Sequence, residues 1–329
     1  MTSASPLLVA GQPLPRDLAR NVAAARARRD ARASRGASAG PDPDGRGDDA
    51  FLAWAEALPA HVERIAAAWS LQLGAPLEPG GTSAWVAEVR DAAGADLLLK
   101  VGWAHDEARD EAAGMAAWQG RGAAGVLRHE RVDDCSALLM ERVRPGSTLA
   151  SQLPDAERDA VIGALLRRLW ISAPAEAGFR PLAQMCAWWA DEAEDRARAE
   201  LPADVVDQGL GLFRALPRDW DGEPVLLVTD LHHHNVLSRR EQPGTDLADW
   251  ALIDPKPYVG DPHYDVLQQM LNGADRVLAD PIGACTRMAA LTDLDPLRVR
   301  AWLFARCVQE TGSGFVQAPA IARALAGSV

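Results

Sequence analysis

Val225-Leu226-Leu227-Val228-Thr229-Asp230-Leu231-His232-His233-His234-Asn235-Val236-Leu237, read with Trp250-Ala251-Leu252-Ile253-Asp254, decides how this chain is understood. An apolar run ends in Asp230, Asn235 follows five positions later, and a second apolar run ends in Asp254. Phosphoryl transfer needs these parts: a carboxylate beside the attacking hydroxyl, and hard oxygen ligands that hold Mg²⁺ against nucleotide phosphates. Asp230 suits the first role, as the acceptor of a substrate hydroxyl proton. Asn235 and Asp254 suit the second. Short strands over 225–229, 236–237 and 251–253 would present these side chains at their ends.

Outside this block, composition narrows the class. The 329 residues suffice for a substantial core or for two lobes, and 48% of them are hydrophobic. No apolar run is long enough to span a bilayer, and the N-terminus has no compact apolar region with a cleavage site. A soluble cytoplasmic protein without a membrane partner is expected. Cys135, Cys186, Cys285 and Cys307 lie far apart and form no C-x-x-C pair, so they read as buried small hydrophobes in a reducing compartment. Residues 1–47 carry eight arginines and four acids, a net +4, which leaves −16 of the total −12 on the remainder. Such an acidic body is a poor nucleic-acid binder and a plausible host for a cationic small molecule. A monomer or weak dimer is expected.

Thr229-Asp230-Leu231-His232-x-x-Asn235-Val236-Leu237, followed by Leu252-Ile253-Asp254-Pro255-Lys256-Pro257-Tyr258-Val259-Gly260-Asp261-Pro262-x-Tyr264-Asp265, resembles the aminoglycoside phosphotransferases. Within them it is most similar to the streptomycin 6-phosphotransferase and aminoglycoside/hydroxyurea resistance kinase branch. The resemblance runs from about Phe51 to the C-terminus and is sharpest over 225–272. Many relatives have His-Gly before the catalytic aspartate, where this chain has Val228-Thr229, and Pro-Gly or similar before the asparagine, where it has His233-His234. The resemblance implies an α+β, protein-kinase-like bilobal fold. A small N-terminal lobe with an antiparallel sheet would span 48–143, and a larger helical lobe 144–329. It also implies ATP and Mg²⁺ as cofactors and an aminoglycoside of the streptomycin type as acceptor.

In chain order, residues 1–47 are rich in Ala, Arg, Ser, Gly and Pro and read as a disordered basic arm, with a transient helix over 17–35. Helical spacing from Phe51 to Leu73 includes Pro59, which reads as the start of a second helix. Gly80-Gly81-Thr82-Ser83 then leads into a hairpin over 84–89 and 95–101. The glycines let main chain approach a phosphate closely, and Thr82 and Ser83 supply donors. In the kinase arrangement Lys100, closing the second strand, contacts the α/β-phosphates. Asp106–Gln119 reads as a helix on which Glu111 would steady Lys100, with Glu107 a competitor for that role. Strands over 126–132 and 137–143 end in Glu141-Arg142-Val143, where an extended kinase hinge offers main-chain groups near Glu141 and Val143 to the adenine edge.

Three helical patterns fill 155–216; one carries Trp188, Trp189, Asp191, Glu192, Glu194 and Asp195, which could face a polycationic sugar or simply solvent. Successive loop histidines point in different directions, so His232 reads as structural and His233 and His234 as surface residues rather than zinc ligands. Lys256 adds a cation near the phosphates, and Asp265 is placed to brace the catalytic loop. Asp261-Pro262 opens a helix over 263–271, and further helices are expected over 274–291 and 296–310.

Overall fold

The computed structural model describes residues 7–34 and 47–329. A two-residue hairpin, β1 (Leu8–Val9) and β2 (Gln12–Pro13), leads into helix α1 (Arg16–Ser34), and helix α2 (Asp48–Trp69) follows. Strands β3 (Gln72–Pro76), β4 (Ala84–Arg90) and β5 (Asp96–Trp103) precede helix α3 (Glu111–Ala117); β6 (Val126–Val132) and β7 (Cys135–Glu141) follow it. The five strands form one antiparallel sheet in the order β3-β4-β5-β7-β6. Alternation splits the sheet into two faces. Trp85, Ala87, Val89, Leu97, Leu99 and Val101 join the core built with α1 and α2, while Val86, Leu98, Lys100 and Met140 belong to the opposite face.

The described part of the basic arm differs from expectation. Leu18, Val22 and Ala25 recur at i, i+4, i+7 on α1 and are buried in the same core as Phe51, Trp54 and Leu58. Arg28 and Arg32 both reach Asp48 at 2.7 Å. Burial works to raise the Asp48 pKa; the hydrogen bonds from both arginines outweigh it and hold the carboxyl below its usual value. A narrow stripe of three apolar residues, pinned by ion pairs, suffices once α2 supplies the complementary face. Residues 1–6 and 35–46 of the expected arm lie outside the described residues. Helix α2 also runs unbroken through Pro59. Proline forfeits one helical bond, about 3 kcal/mol in an isolated helix, and the stripe Leu52, Ala55, Leu58, Val62, Ile65 and Trp69 stays buried and in phase across it.

The remaining helices are α4 (Leu149–Gln152), α5 (Asp155–Leu169), α6 (Leu182–Glu200), α7 (Ala203–Ala215), α8 (Leu267–Asn272), α9 (Ala274–Ala279), α10 (Pro281–Thr292), α11 (Pro296–Glu310) and α12 (Ala318–Leu325). Two short antiparallel ladders lie among them: β9 (Val236–Ser238) with β10 (Trp250–Leu252), and β8 (Val225–Leu227) with β11 (Tyr258–Gly260). The expected helix over 274–291 is two, because Asp280 turns its carboxylate to the Gly283 N–H and Pro281 starts anew. Asp261 begins only a 3-10 turn, Pro262–Tyr264. Its buried carboxylate accepts from His263 Nδ1 at 2.6 Å, Arg298 Nε at 2.7 Å and Trp302 Nε1 at 2.7 Å, a structural junction.

The chain splits into two compact units. The first takes the described residues up to Ala112 with Ala124–Arg142, and the second Ala113–Ala123 with Val143–Val329. The division after Arg142 falls one residue before the expected one, and α3 contributes most of its length to the second unit. All four cysteines are free and buried. Among the described residues no helix is long and apolar enough to cross a membrane.

Candidate active site

In the second unit, β8 ends where the main chain makes a tight reversal. The Asp230 N–H donates to the Val228 carbonyl at 2.8 Å across Thr229, whose φ is +53°. A β-branched residue at positive φ is strained and persists only where its surroundings fix it. Here Asp265, fully buried, does so: it accepts from the Thr229 N–H at 2.6 Å, the Val228 N–H at 3.0 Å and Trp170 Nε1 at 2.9 Å. The Thr229 hydroxyl donates to the Lys256 carbonyl, and the Lys256 N–H donates to the Val228 carbonyl at 3.0 Å. The Asp230 loop and the turn after Asp254 are therefore knitted together through main chain. Burial pushes the Asp265 pKa up to about 6 against the opposing pull of these donors.

Asn235 Nδ2 donates to the Asp230 carbonyl at 3.0 Å, and the Asn235 carbonyl accepts from the Ile253 N–H at 2.9 Å, one residue before Asp254. The first bond engages the amide nitrogen and points to Oδ1 as the atom of Asn235 that a cation would meet. An amide oxygen and a carboxylate are hard donors, of the kind that would suit Mg²⁺. Among the described residues no three His, Cys, Asp or Glu side chains converge as a cation site.

Lys256 Nζ lies 3.1 Å from Asp230 Oδ2, and His232 Nε2 lies 3.8 Å from Asp230 Oδ1. Burial, then His234, His233 and Lys256, push the His232 pKa down to about 3, so its ring is neutral at physiological pH and Lys256 is the cation beside Asp230. His233 departs from the expected surface position. It is buried, with Nδ1 3.0 Å from Gln269 Oε1, and Gln269 also accepts from the His233 N–H at 3.1 Å. That partner lies 36 residues away and carries no local sequence signal.

In the first unit, Lys100 Nζ meets Glu111 Oε1 at 2.7 Å, with both side chains largely buried, which resolves the choice between Glu111 and Glu107. Glu107 instead lines a cavity of about 270 Å³ with Asn21, Arg28, Phe51, Ser83, Trp103 and His105. Ser83 is a further departure. Val86 pairs with Lys100, whereas the Ser83 carbonyl accepts from the Trp103 N–H at 2.9 Å, and the Ser83 side chain shares this cavity with Phe51 and Trp103. The odd offset from Val86 turns Ser83 to the face opposite Lys100. The Glu141 side chain serves the fold, accepting from the Gly125 N–H at 2.8 Å, and its own N–H donates to the Gly125 carbonyl at 2.8 Å. Val143 is buried at the start of the second unit's main segment. On α6, Asp191 pairs with Arg214 at 2.7 Å and Glu194 with Arg198 at 3.0 Å, so arginines engage these two members of the acidic group that could have faced a polycation.

An antiparallel sheet unit with a buried lysine–glutamate pair, joined to a helical unit bearing an Asp–Asn–Asp loop pair, defines a protein-kinase-like phosphotransferase. The fold agrees with the crystal structure of macrolide 2'-phosphotransferase from Brachybacterium faecium, at TM-score 0.51 and 19% identity, covering 83% of this chain and 97% of that one. Residues 69–314 match the aminoglycoside/hydroxyurea antibiotic resistance kinases, and the chain belongs to that family. It is 32% identical to streptomycin 6-kinase of Streptomyces griseus, over 80% of this chain and 85% of that protein. It is 31% identical to hydroxyurea phosphotransferase of Kitasatospora aureofaciens, over 77% and 72% of the two chains.

Proposed function

We propose that this enzyme transfers the γ-phosphate of ATP to a hydroxyl of a streptomycin-type aminoglycoside in the cytoplasm. The observation that carries the acceptor is the similarity to streptomycin 6-kinase across four-fifths of the chain. The geometry around Asp230 supports the chemistry. Asn235 and Asp254 would hold Mg²⁺, whose charge offsets that of the nucleotide phosphates. Lys100, steadied by Glu111, binds the α/β-phosphates, and main-chain groups near Glu141 and Val143 read the adenine edge.

Asp230 orients the acceptor hydroxyl. As the acceptor oxygen bonds to the γ-phosphorus, its proton passes to the Asp230 carboxylate, the bond from the γ-phosphorus to the β,γ-bridging oxygen breaks, and ADP leaves. Lys256, 3.1 Å from Asp230, keeps that carboxylate directed, and is near enough to meet the transferring group. Positioning and charge neutralisation supply most of the acceleration.

The decisive measurement is kcat/KM for streptomycin, hydroxyurea and a neutral sugar, read by coupled ADP release. Streptomycin is expected to lead. Hydroxyurea ahead by more than about tenfold, a factor worth about 1.4 kcal/mol, would move the acceptor to the chemistry named for the Kitasatospora relative. The phosphotransfer mechanism would stand.

A further inference from the structure

We propose that Asn21 is a positioning residue for the nucleotide, holding the Gly80–Thr82 loop in the shape whose main chain binds phosphate. This rests on the reading of the first unit as the nucleotide-binding one. Asn21 is half-buried and lies beside the buried stripe of α1, between Leu18 and Val22. Its Nδ2 donates to the Thr82 carbonyl at 2.8 Å.

The contact does not stand alone. The first turn of a helix has N–H groups without intrahelical partners, and on α1 the loop supplies them. The Arg16 N–H donates to Glu78 Oε2 at 3.2 Å and the Asp17 N–H to the Pro79 carbonyl at 2.9 Å. Gly80 sits at φ +81°, and a Cβ there would lie 2.4 Å from Pro15 Cβ, so the segment entering α1 closes directly over it. Helix and loop thus cap each other.

The physical consequence concerns the loop's freedom. Glycine pairs are conformationally permissive, and ordering such a loop on binding lowers affinity. Three hydrogen bonds from residues 16–21 and the close approach of Pro15 to Gly80 fix residues 78–82 beforehand. The loop main chain is then presented to phosphate without competition from Ser83, whose side chain is turned to the α1 side.

The test uses the full chain with Asn21→Ala and Asn21→Leu, the second keeping the branched shape of the side chain and removing the amide's hydrogen-bonding atoms. ADP affinity is measured by calorimetry, KM for ATP and for streptomycin by coupled kinetics, and Tm by calorimetry. The expected result is a roughly threefold to tenfold weakening for ADP and ATP, the weight of one hydrogen bond, with the KM for streptomycin unchanged and Tm within about 2 °C. A purely structural Asn21 would lower Tm and leave nucleotide affinity alone, and that outcome overturns the proposal. Lys100→Ala separates the two readings. If it loses nucleotide affinity while both Asn21 variants bind like the parent, the nucleotide site stands and the positioning role fails. If Lys100→Ala itself binds ADP like the parent, the nucleotide site is misplaced and the role of Asn21 falls with it.

Discussion

Asp230 owes its position to main-chain bonds more than to its side chain. Its N–H and carbonyl are fixed by Val228 and Asn235, and the strained Thr229 before it is held by Asp265. Replacing the carboxylate should leave this frame intact. Asp230→Asn is expected to keep ADP affinity and to lose kcat by about 10²–10⁴-fold, the range for a positioned general base. Calorimetry and single-turnover kinetics check both halves, and turnover within a few-fold of the parent would remove Asp230 from the chemistry.

Asp265 makes a prediction of different sign. Its pKa of about 6 in the fold lies above the usual carboxylate value near 4, so between those values the folded state holds a proton that the unfolded chain has released. Its contribution to stability is full below about pH 4 and is lost as pH rises through about 6. Asp265→Asn should flatten that component of stability in urea titrations between pH 4 and 6. It should also lower kcat, because an amide offers one acceptor oxygen to three N–H donors. A variant that tracks the parent at every pH would show that Asp265 does not titrate in this window. At this scale the sequence was most legible where spacing is local and fixed, as between Asp230 and Asn235, whose side-chain amide bonds the Asp230 carbonyl. It misplaced Ser83, whose face depends on strand register, and His233, whose partner Gln269 is distant in the chain.

Helix α1 shows how local composition misleads at the level of elements. Its nineteen residues are mostly Ala and Arg, and its three buried side chains acquire meaning only against α2. The strands of the sheet were readable because their apolar residues alternate, and β3 was missed because Gln72–Pro76, half-exposed and holding Gly74 and Pro76, lacks that alternation. The break between α9 and α10 was written in Asp280-Pro281, yet the helical spacing on either side obscured it. A basic disordered arm would be dispensable, whereas the observed packing makes α1 part of the first unit's core. Leu18 is 0% exposed, and Leu18→Ala is expected to cost about 2–4 kcal/mol, the usual range for a buried leucine. Urea unfolding followed by tryptophan fluorescence reads it through Trp54 and Trp85, both buried in the same cluster. A cost below about 0.5 kcal/mol, the scale of a surface substitution, would mean that α1 does not pack in solution as it does in the structure.

For the molecule as a whole, the asymmetry of charge matters more than its total. Four excess positive charges fall in residues 1–47 and sixteen excess negative charges in the rest. The sequence suggested that α6 concentrates this field, but Arg214 and Arg198 already pair with its Asp191 and Glu194. A diffuse negative field attracts a polycation at long range and is weakened by salt, since the screening length falls from about 30 Å at 0.01 M to about 3 Å at 1 M ionic strength. It has no such hold on a neutral acceptor. With MgATP saturating, raising NaCl from 0.01 to 0.5 M is expected to increase the KM for streptomycin at least threefold, and to change the KM for hydroxyurea less than twofold. Steering acts on encounter, so kcat for both acceptors should stay within about twofold. Coupled ADP release at each salt concentration reads all four constants. Parallel salt responses would show that the acidic body plays no part in choosing the acceptor. A kcat that falls with KM for streptomycin alone would locate the charged contact in the transition state, close to Asp230.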